Sequence, residues 1–420
     1  MIKTQQAILR VDVKTADRLR FYQQEAANCW NQIVSVNITY YFGTHGQWIG
    51  KYELQQWVKG WHILHSQTVQ ALCDKFVANR LTTAVLRRQG LTKVKYPWRE
   101  KRFMTIPFKQ MAIQYSEANT LVLCLSAGDQ FDTGVVPIGP VNTAEILWRK
   151  GRYLLSYTIE VPDVPLLEEG IAAGVDIGEI HPASICTQAG DALVVSGREI
   201  RAAKQFRNKA LGELTRLIGR CRNGSRRWRK LVAAKKWLMA KTEAQIKDLI
   251  HKATRKVIHF CVQHGVKELV IGDLRGVEQK TKKTRRLNRA ARQKVGQMEY
   301  GRITRYLEYK AEEKGIRTCL VNERCTSQTC PRCHEVHVAK GRVYRCAGCG
   351  YEEHRDVKGA FMILRKVYPD QRLVQFKTLH QQASARYRKC PQRAACVDGS
   401  DVAQVAWRQQ SISSAGRVSA

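Results

Sequence analysis

The chain has 420 residues, a formal net charge of +35 at pH 7, and 44% hydrophobic residues. Its length exceeds one typical domain of about 100–200 residues, so two or three folded units are expected. A charge this one-sided favours a polyanionic partner over a solvated basic surface without a partner. No run of 18 apolar residues and no apolar signal segment is present, so neither a membrane span nor a membrane partner is expected.

Residues 1–165 are predicted to form a strand-rich module interrupted by helices. Residues 7–14, "AILRVDVK", alternate between apolar and polar types, which is typical of a half-buried strand. Helix-spaced apolar residues then recur from about 16 to 41 and from about 52 to 87. Short strand patterns return from about 95 to 161, separated by glycine and proline turns.

The proline-containing segment "VPDVPLLEEG" predicts a domain boundary, after which the pattern changes. Three short strands are predicted at "IAAGVDIG", "ASICT" and "ALVVSG", followed by a long helical region from about 201 to 264. The strand "ELVIGD", a helix over about 296–315, the strand "RTCLV" and the helix "HRDVKGAFMILRKV" follow. This is the element order of the RNase H superfamily, and the residues beyond about 370 are expected to be a flexible tail.

Basic residues are concentrated in two segments. Residues 201–236 contain thirteen Lys or Arg and one acid, Glu213, and residues 280–294 contain eight basic residues. Such segments can line a phosphate backbone, and a tryptophan among them can stack on a base. The second segment lacks apolar periodicity and is expected to be a loop. The predicted nucleic-acid-binding residues are Arg222, Arg226, Arg227, Trp228, Arg229, Lys230, Lys282, Lys283, Arg285 and Arg286.

Four of the fourteen cysteines form two C-x-x-C pairs, which are separated by twelve residues. Two such knuckles supply the tetrahedral thiolates of a structural zinc site, here Cys330, Cys333, Cys346 and Cys349. We expect that zinc is not bound by the nearby residues Cys325, His334 and His337, because four thiolate ligands already complete its coordination. Most other cysteines are scattered singly, which favours free thiols in a reducing cytoplasm.

Two aspartates stand where a metal-dependent nuclease needs carboxylates. Asp176 ends an apolar strand in "AAGVDIGEIHPAS", and Asp356 lies near the start of the amphipathic helix in "YEEHRDVKGAFMIL". Either one alone is most simply a turn residue or a helix cap. Together, at these places in the element order, they favour a Mg²⁺ site for phosphodiester hydrolysis.

A family resemblance spans about residues 170–366. The segments "GVDIGEIHPAS", "NGSRRWRKL", "LVIGDL", "TSQTCPRC…CAGCG" and "HRDVKGA" follow one another as they do in TnpB proteins of insertion sequences, and in the related compact type V CRISPR effectors. The resemblance implies a multidomain α/β and β protein, with an RNase H-like RuvC domain that contains an inserted zinc ribbon. A β-barrel-like wedge domain carrying a helical recognition insertion would precede it.

The resemblance also implies domain boundaries. The wedge domain would comprise residues 1–15 and 95–165, and the recognition insertion residues 16–94. The RuvC-like domain would comprise residues 166–324 and 353–370, with the target-binding zinc ribbon at 325–352 and the tail at 371–420.

Functionally, the resemblance implies a prokaryotic, cytoplasmic RNA-guided DNA-binding protein whose partners are a guide RNA and target DNA. Structural zinc and catalytic Mg²⁺ would be its metal ions. The resemblance allows either a monomer or a dimer of the protein per guide RNA. In such systems base pairing reads the sequence, which agrees with a large charge excess. Asp176 and Asp356 would be the first and third catalytic acids.

The second catalytic acid is missing from its usual place. Family members usually have Glu before Asp-Leu at the end of the strand that carries the second motif, whereas this chain has Gly272 before Asp273 and Leu274. Asp273 is one substitute, although neighbouring strand residues point to opposite faces. Glu299, near the start of the following helix, is the main candidate for a relocated acid, and Glu179 and Glu278 are weaker ones.

Two functions therefore stay open. One is an RNA-guided DNA endonuclease with a rearranged third carboxylate, and the other is an RNA-guided binder that blocks or recruits without cutting. Retention of Asp176 and Asp356 favours the enzyme. A zinc-ribbon DNA-binding protein without RNA would explain the cysteines and the charge but not the series of motifs.

Overall fold

The computed structural model describes residues 2–149, 151–274, 288–324, 326–337 and 341–384. The chain divides into two compact units, Met1–Asp163 and Val164–Ala420. The division falls within the predicted proline-containing linker. Among the described residues, every helix is too short or too polar to cross a membrane.

The first unit combines helices with two antiparallel sheets. Its helices are α1 (Val13–Gly43), α2 (Lys51–Trp57) and α3 (Ser66–Arg88). Its strands are β1 (Ile2–Leu9), β2 (Ile106–Lys109), β3 (Ile113–Tyr115), β4 (Leu121–Ser126), β5 (Asp129–Asp132), β6 (Val141–Arg149) and β7 (Arg152–Glu160). One sheet has the order β1-β7-β6-β2 and the other has the order β3-β4-β5. The predicted strand-rich module interrupted by helices is present.

Local sequence explains most of the first unit. In β7 the alternating residues Tyr153, Leu155, Tyr157 and Ile159 are buried, as period-two patterning requires. The single helix expected over 52–87 is instead two helices. The chain turns between them, where Gly60 adopts a positive φ of 76°, which L-residues with side chains rarely adopt.

The second unit follows the predicted element order. Its main strands are β8 (Ile171–Asp176), β9 (Ala183–Thr187), β10 (Asp191–Ser196), β11 (Val266–Asp273) and β12 (Arg317–Asn322). A hairpin of β13 (Val343–Arg345) and β14 (Glu352–His354) follows, and β15 (Lys377–Gln382) comes last. The helices are α4 (Arg198–Gly219), α5 (Arg226–Gln263), α6 (Arg289–Gly296), α7 (Tyr300–Glu312) and α8 (Arg355–Val367).

The large sheet of this unit has the order β12-β11-β8-β9-β10-β15. Strands β8, β11 and β12 are parallel, and β9 is antiparallel to both β8 and β10. The carboxyl ends of β8, β11 and β12 therefore meet at one edge of the sheet. Asp176, Gly272 and Asn322 lie at or next to those three ends.

Strand β15 lies in the region beyond about residue 370 that was predicted to be a flexible tail. Residues 377–382 pair in parallel with all of β10, so the expected flexible tail is wrong for this stretch. Its sequence, "KTLHQQ", has little apolar content, because it lies at the edge of the sheet, where burial is partial. Residues 385–420 lie outside the described residues.

The two faces of the sheet carry different helices. Ala173, Val175 and Ile271 belong to a core cluster with residues of α5 and α7. Ala172 and Val270, which alternate with them, pack against Ile363 and Leu364 of α8. A Cβ atom added to Gly174 would lie 2.2 Å from the Ala360 carbonyl oxygen of α8. Only glycine allows α8 to approach β8 this closely.

Candidate metal centres

Asp176 points to the α8 face of the sheet. It alternates with Val175, which faces α5 and α7, and its carboxylate lies against Gly359 of α8. A Cβ atom at Gly359 would be 2.5 Å from Asp176 Oδ2. The glycine in "RDVKGA" is therefore what leaves room for the Asp176 carboxylate.

A glutamate from the neighbouring strand fills the space beside Gly272. A Cβ atom at Gly272 would lie 2.8 Å from Glu323 Oε2 and 2.9 Å from Ile363 Cδ1 of α8. Glu323 directly follows β12, the parallel neighbour of β11. A β11 side chain and the Glu323 side chain would thus compete for the same volume on the α8 face.

Three carboxylates are electrostatically coupled at this edge. Burial raises the pKa of Asp176 to about 8, with further contributions from the negative charges of Asp356 and Glu323. Arg355 and Lys358 act in the opposite direction. Mutual repulsion of this kind is relieved by a divalent cation, and carboxylate oxygens are the ligands that Mg²⁺ prefers. The donor set formed by Asp176, Glu323 and Asp356 fits a Mg²⁺ site.

Asp356, in the first turn of α8, has a hydrogen-bond partner and a pKa shift opposite in direction to that of Asp176. Its Oδ2 atom lies 2.5 Å from Nδ1 of His181 and 3.5 Å from Nη1 of Arg342. Burial opposes its ionisation, but the hydrogen bond and charge of His181, with Arg342, keep the pKa of Asp356 below its ordinary value. Gly178 N donates to the His181 carbonyl over 2.9 Å in the turn after β8 that presents His181.

The structure does not bring Glu299 or Asp273 to this face, contrary to prediction. Asp273 shares the side of Ile271, which faces α5 and α7, because adjacent strand residues alternate. Glu299 lies at the N-cap position of α7, a helix that packs on the Ile271 side of the sheet, and pairs with Arg302 at 2.5 Å.

Of the two weaker candidates, only one can be located. Glu179 pairs with Arg201 at 3.6 Å. Glu278 lies outside the described residues.

Glu323 and His181 were missed by sequence reasoning. A signal for Glu323 existed, since "RTCLVNE" places an acid directly after a predicted strand, and the carboxyl ends of parallel strands share an edge. Using it required knowing that β12 is the parallel neighbour of β11. For His181 the residue order offers no comparable signal.

The four predicted zinc ligands converge. The Sγ atoms of Cys330 and Cys349 are 3.6 Å apart, and those of Cys333 and Cys346 are 3.4 Å apart. A tetrahedron with Zn–S bonds of about 2.3 Å requires sulfur separations of roughly 3.8 Å, so the cluster fits zinc. All four ligand atoms lie within 4.8 Å of one another.

Both knuckles turn in the same way. His334 and Gly350, which directly follow the second cysteine of each pair, have positive φ angles of 62° and 69°. Their amides donate to the carbonyls of Cys330 and Cys346, each over 3.1 Å. The repeated turn aims both cysteine pairs at one point. Cys325 lies outside the described residues.

The basic residues at the junction of α4 and α5 are presented to solvent. Arg222, Arg226, Arg227, Arg229 and Lys230 are exposed, at the start of α5 or just before it. Ser225 caps the helix by accepting from the Trp228 amide at 3.2 Å.

A helix N-terminus adds a positive partial charge to that of the side chains, so this junction suits phosphate. Trp228 is half-buried, which limits the stacking predicted for it. Lys282, Lys283, Arg285 and Arg286 lie outside the described residues.

Comparisons with known proteins agree with this architecture. Residues 155–278 match the OrfB_IS605 family, described as a probable transposase, and residues 300–363 match the Cas12f1-like TNB domain. A TnpB-like protein of Methanocaldococcus jannaschii is 25% identical over 123 residues, 29% of this chain and 43% of that protein. The CRISPR-associated endodeoxyribonuclease Cas12f2 of a Micrarchaeota archaeon is 26% identical over 226 residues, 50% of this chain and 39% of that protein.

The fold has a counterpart among solved structures. The cryo-EM structure of a Cas12f1–sgRNA–target DNA complex matches with a TM-score of 0.60 and 14% identity, over 84% of this chain and 83% of that chain. The chain is similar in sequence to TnpB proteins and compact type V effectors, and in fold to one such effector. Its matches span about two fifths of the length of the curated relatives.

Zinc should stabilise the ribbon. We expect the purified protein to hold a zinc ion that Cys333→Ser removes, with a lower melting temperature, because the metal supplies folding energy to a segment with a small core. Elemental analysis and calorimetry measure both effects. Cys221→Ser, in the turn after α4, is the control and should change neither. Equal zinc content in wild type and Cys333→Ser would contradict the assignment.

The pKa of Asp176 predicts a pH dependence of stability. A carboxyl whose folded-state pKa is raised from 3.8 to about 8 destabilises the fold progressively as pH rises between those values. Asp176→Asn removes the charge with little change of shape. Without divalent ions, its gain in unfolding free energy over wild type should grow by up to about 1.4 kcal/mol per pH unit. A gain independent of pH between about 5 and 8 would contradict the raised pKa.

Proposed function

We propose that the chain is an RNA-guided DNA endonuclease with a RuvC-like, Mg²⁺-dependent site formed by Asp176, Glu323 and Asp356. The observation that supports this most directly is the third acid. Although Gly272 replaces the usual glutamate, the Glu323 carboxylate lies where a β11 side chain would reach the α8 face. A site that had lost its function would need no such replacement.

The sheet supports the RNase H-like assignment. Its five main strands have the order β12-β11-β8-β9-β10, and β9 runs in the direction opposite to the other four. The proposed acids lie at the ends of β8 and β12 and at the start of α8. Ligands of open α/β sheets bind at the carboxyl ends of the strands.

The chemistry follows from the donor set. Divalent metal ions bound there would activate water and stabilise the leaving oxygen of a phosphodiester. Asp176 and Glu323 supply oxygen ligands from the sheet, and Asp356 supplies them from α8. His181 keeps Asp356 ionised and fixes its orientation through the 2.5 Å hydrogen bond.

Nucleic-acid partners are supported by charge and by resemblance. The net charge of +35 and the exposed arginines at the α4–α5 junction favour phosphate contacts that do not read sequence. Sequence selection would then come from a paired guide RNA, as in the solved Cas12f1 complex with sgRNA and target DNA. We assign guide RNA and target DNA as partners on this basis.

Cleavage should distinguish Glu323 from the other candidate acids. With guide RNA, matching DNA and Mg²⁺, Asp176→Ala and Glu323→Gln should each lower the cleavage rate by at least about 100-fold, because outer-shell changes alone cost 10–100-fold. Guide-dependent DNA binding, measured by gel shift, should persist. Glu299→Gln and Asp273→Asn are matched controls on the opposite face and should retain cleavage.

Two outcomes would redirect the proposal. Normal cleavage by Glu323→Gln would remove Glu323 from the site. Guide-dependent binding by wild type without any product in Mg²⁺ or Mn²⁺ would favour the alternative, an inactive RNA-guided binder that blocks or recruits.

A further inference from the structure

Two histidines lie close to Asp356. His181 follows β8, His354 ends β14, and Asp356 lies in the first turn of α8. One ligand atom from each of these three residues lies within 4.8 Å of the other two. The ring of His380, on β15, is 5.4 Å from that of His354, centroid to centroid.

One atom of this group lacks a partner. Nδ1 of His354 is buried and has no hydrogen-bond partner among the described residues. Buried polar atoms are almost always satisfied by protein, water or an ion, so this atom requires an explanation. A bound cation would provide one, because an imidazole nitrogen can ligate through its lone pair.

The His181 ring is oriented toward Asp356 and also borders a cavity. His181 Nδ1 lies 2.5 Å from Asp356 Oδ2, so these two atoms, each able to bind a metal ion, already face each other. A cavity of about 350 Å³, lined in part by His181, Ser196 and His380, lies beside the group. It gives a small ion a route to His181 and His380.

The ligand types select the class of metal. Carboxylate and water suit Mg²⁺, whereas imidazole suits zinc, nickel, iron and their first-row neighbours. Two imidazoles with one carboxylate therefore differ in preference from the all-carboxylate set of Asp176, Glu323 and Asp356. Glu335, His337 and Cys346 also lie within 4.8 Å of one another, but Cys346 already belongs to the ribbon cluster.

We propose that His181, His354 and Asp356, with His380 adjacent, form a site for a divalent transition metal that is distinct from the zinc ribbon. The site shares Asp356 with the proposed nuclease centre. The description of that neighbouring centre as a nuclease rests on the proposed function. Its metal binding requires neither nucleic acid nor cleavage.

Cobalt binding tests the site. The full chain, with its ribbon loaded with zinc and excess metal removed, is titrated with Co²⁺ in the presence of millimolar Mg²⁺. We expect one further Co²⁺ per chain, seen as visible d–d absorption without thiolate charge-transfer bands. His354→Gln and His181→Gln should each weaken this binding by more than about 10-fold, since each removes a ligand.

Matched variants separate this site from its neighbours. His337→Gln, near the ribbon, and Asp176→Asn, in the carboxylate centre, should bind the extra Co²⁺ as wild type does. His380→Gln, which alters only an adjacent ring, should have a smaller effect and covers the case in which a ligand variant fails to fold. Because no cleavage is measured, a failure here is distinct from failure of the proposed nuclease.

Three results would overturn the inference. They are the absence of Co²⁺ beyond the ribbon's metal, equal binding by wild type and all three histidine variants, and loss of binding in Asp176→Asn. The last would place the ion in the carboxylate centre instead.

Discussion

The close packing of α8 on β8 is the constraint on which the second unit depends. Gly174 and Gly359 remove side chains from the two facing surfaces, which lets the helix backbone reach the sheet and leaves room for the Asp176 carboxylate. Lys358 of the same helix is fully buried, donates to the Thr326 carbonyl over 3.0 Å and lies 4.2 Å from the Tyr344 ring centroid. One helix thus fixes both the carboxylates and the base of the ribbon, so changes at this contact should affect both.

The same packing explains how the proposed third acid, Glu323, can come from the end of another strand. At Gly272 the α8 face has room for one side chain only, and Glu323 fills it from the end of β12. Parallel strands bring their carboxyl ends to a common edge, so moving an acid from one strand end to the next changes its attachment but not the region it occupies. The position of the Glu323 carboxylate in that region agrees with the proposed metal site.

Sequence predicted the features that depend on local spacing or on the resemblance. The two C-x-x-C pairs converge as expected, and Asp356, in the first turn of α8, lies close enough to Asp176 to raise its pKa. Glu323 was not predicted because its position depends on which strand neighbours β11. The spacing of residues along the chain does not determine the order of strands in a sheet. The β15 ladder was missed for a related reason, since "KTLHQQ" gains its place from pairing with β10 rather than from its own periodicity.

The central claim is that Glu323 supplies the third carboxylate, and its most direct test is to move this carboxylate from position 323 to position 272. Glu323→Ala should abolish guide-dependent DNA cleavage in Mg²⁺ while leaving DNA binding intact. The double variant Glu323→Ala, Gly272→Glu should restore cleavage, because removal of Glu323 frees the volume that a β11 side chain would enter. Full cleavage by Glu323→Ala alone would contradict the account, as would a stable, DNA-binding double variant that cuts no faster than Glu323→Ala.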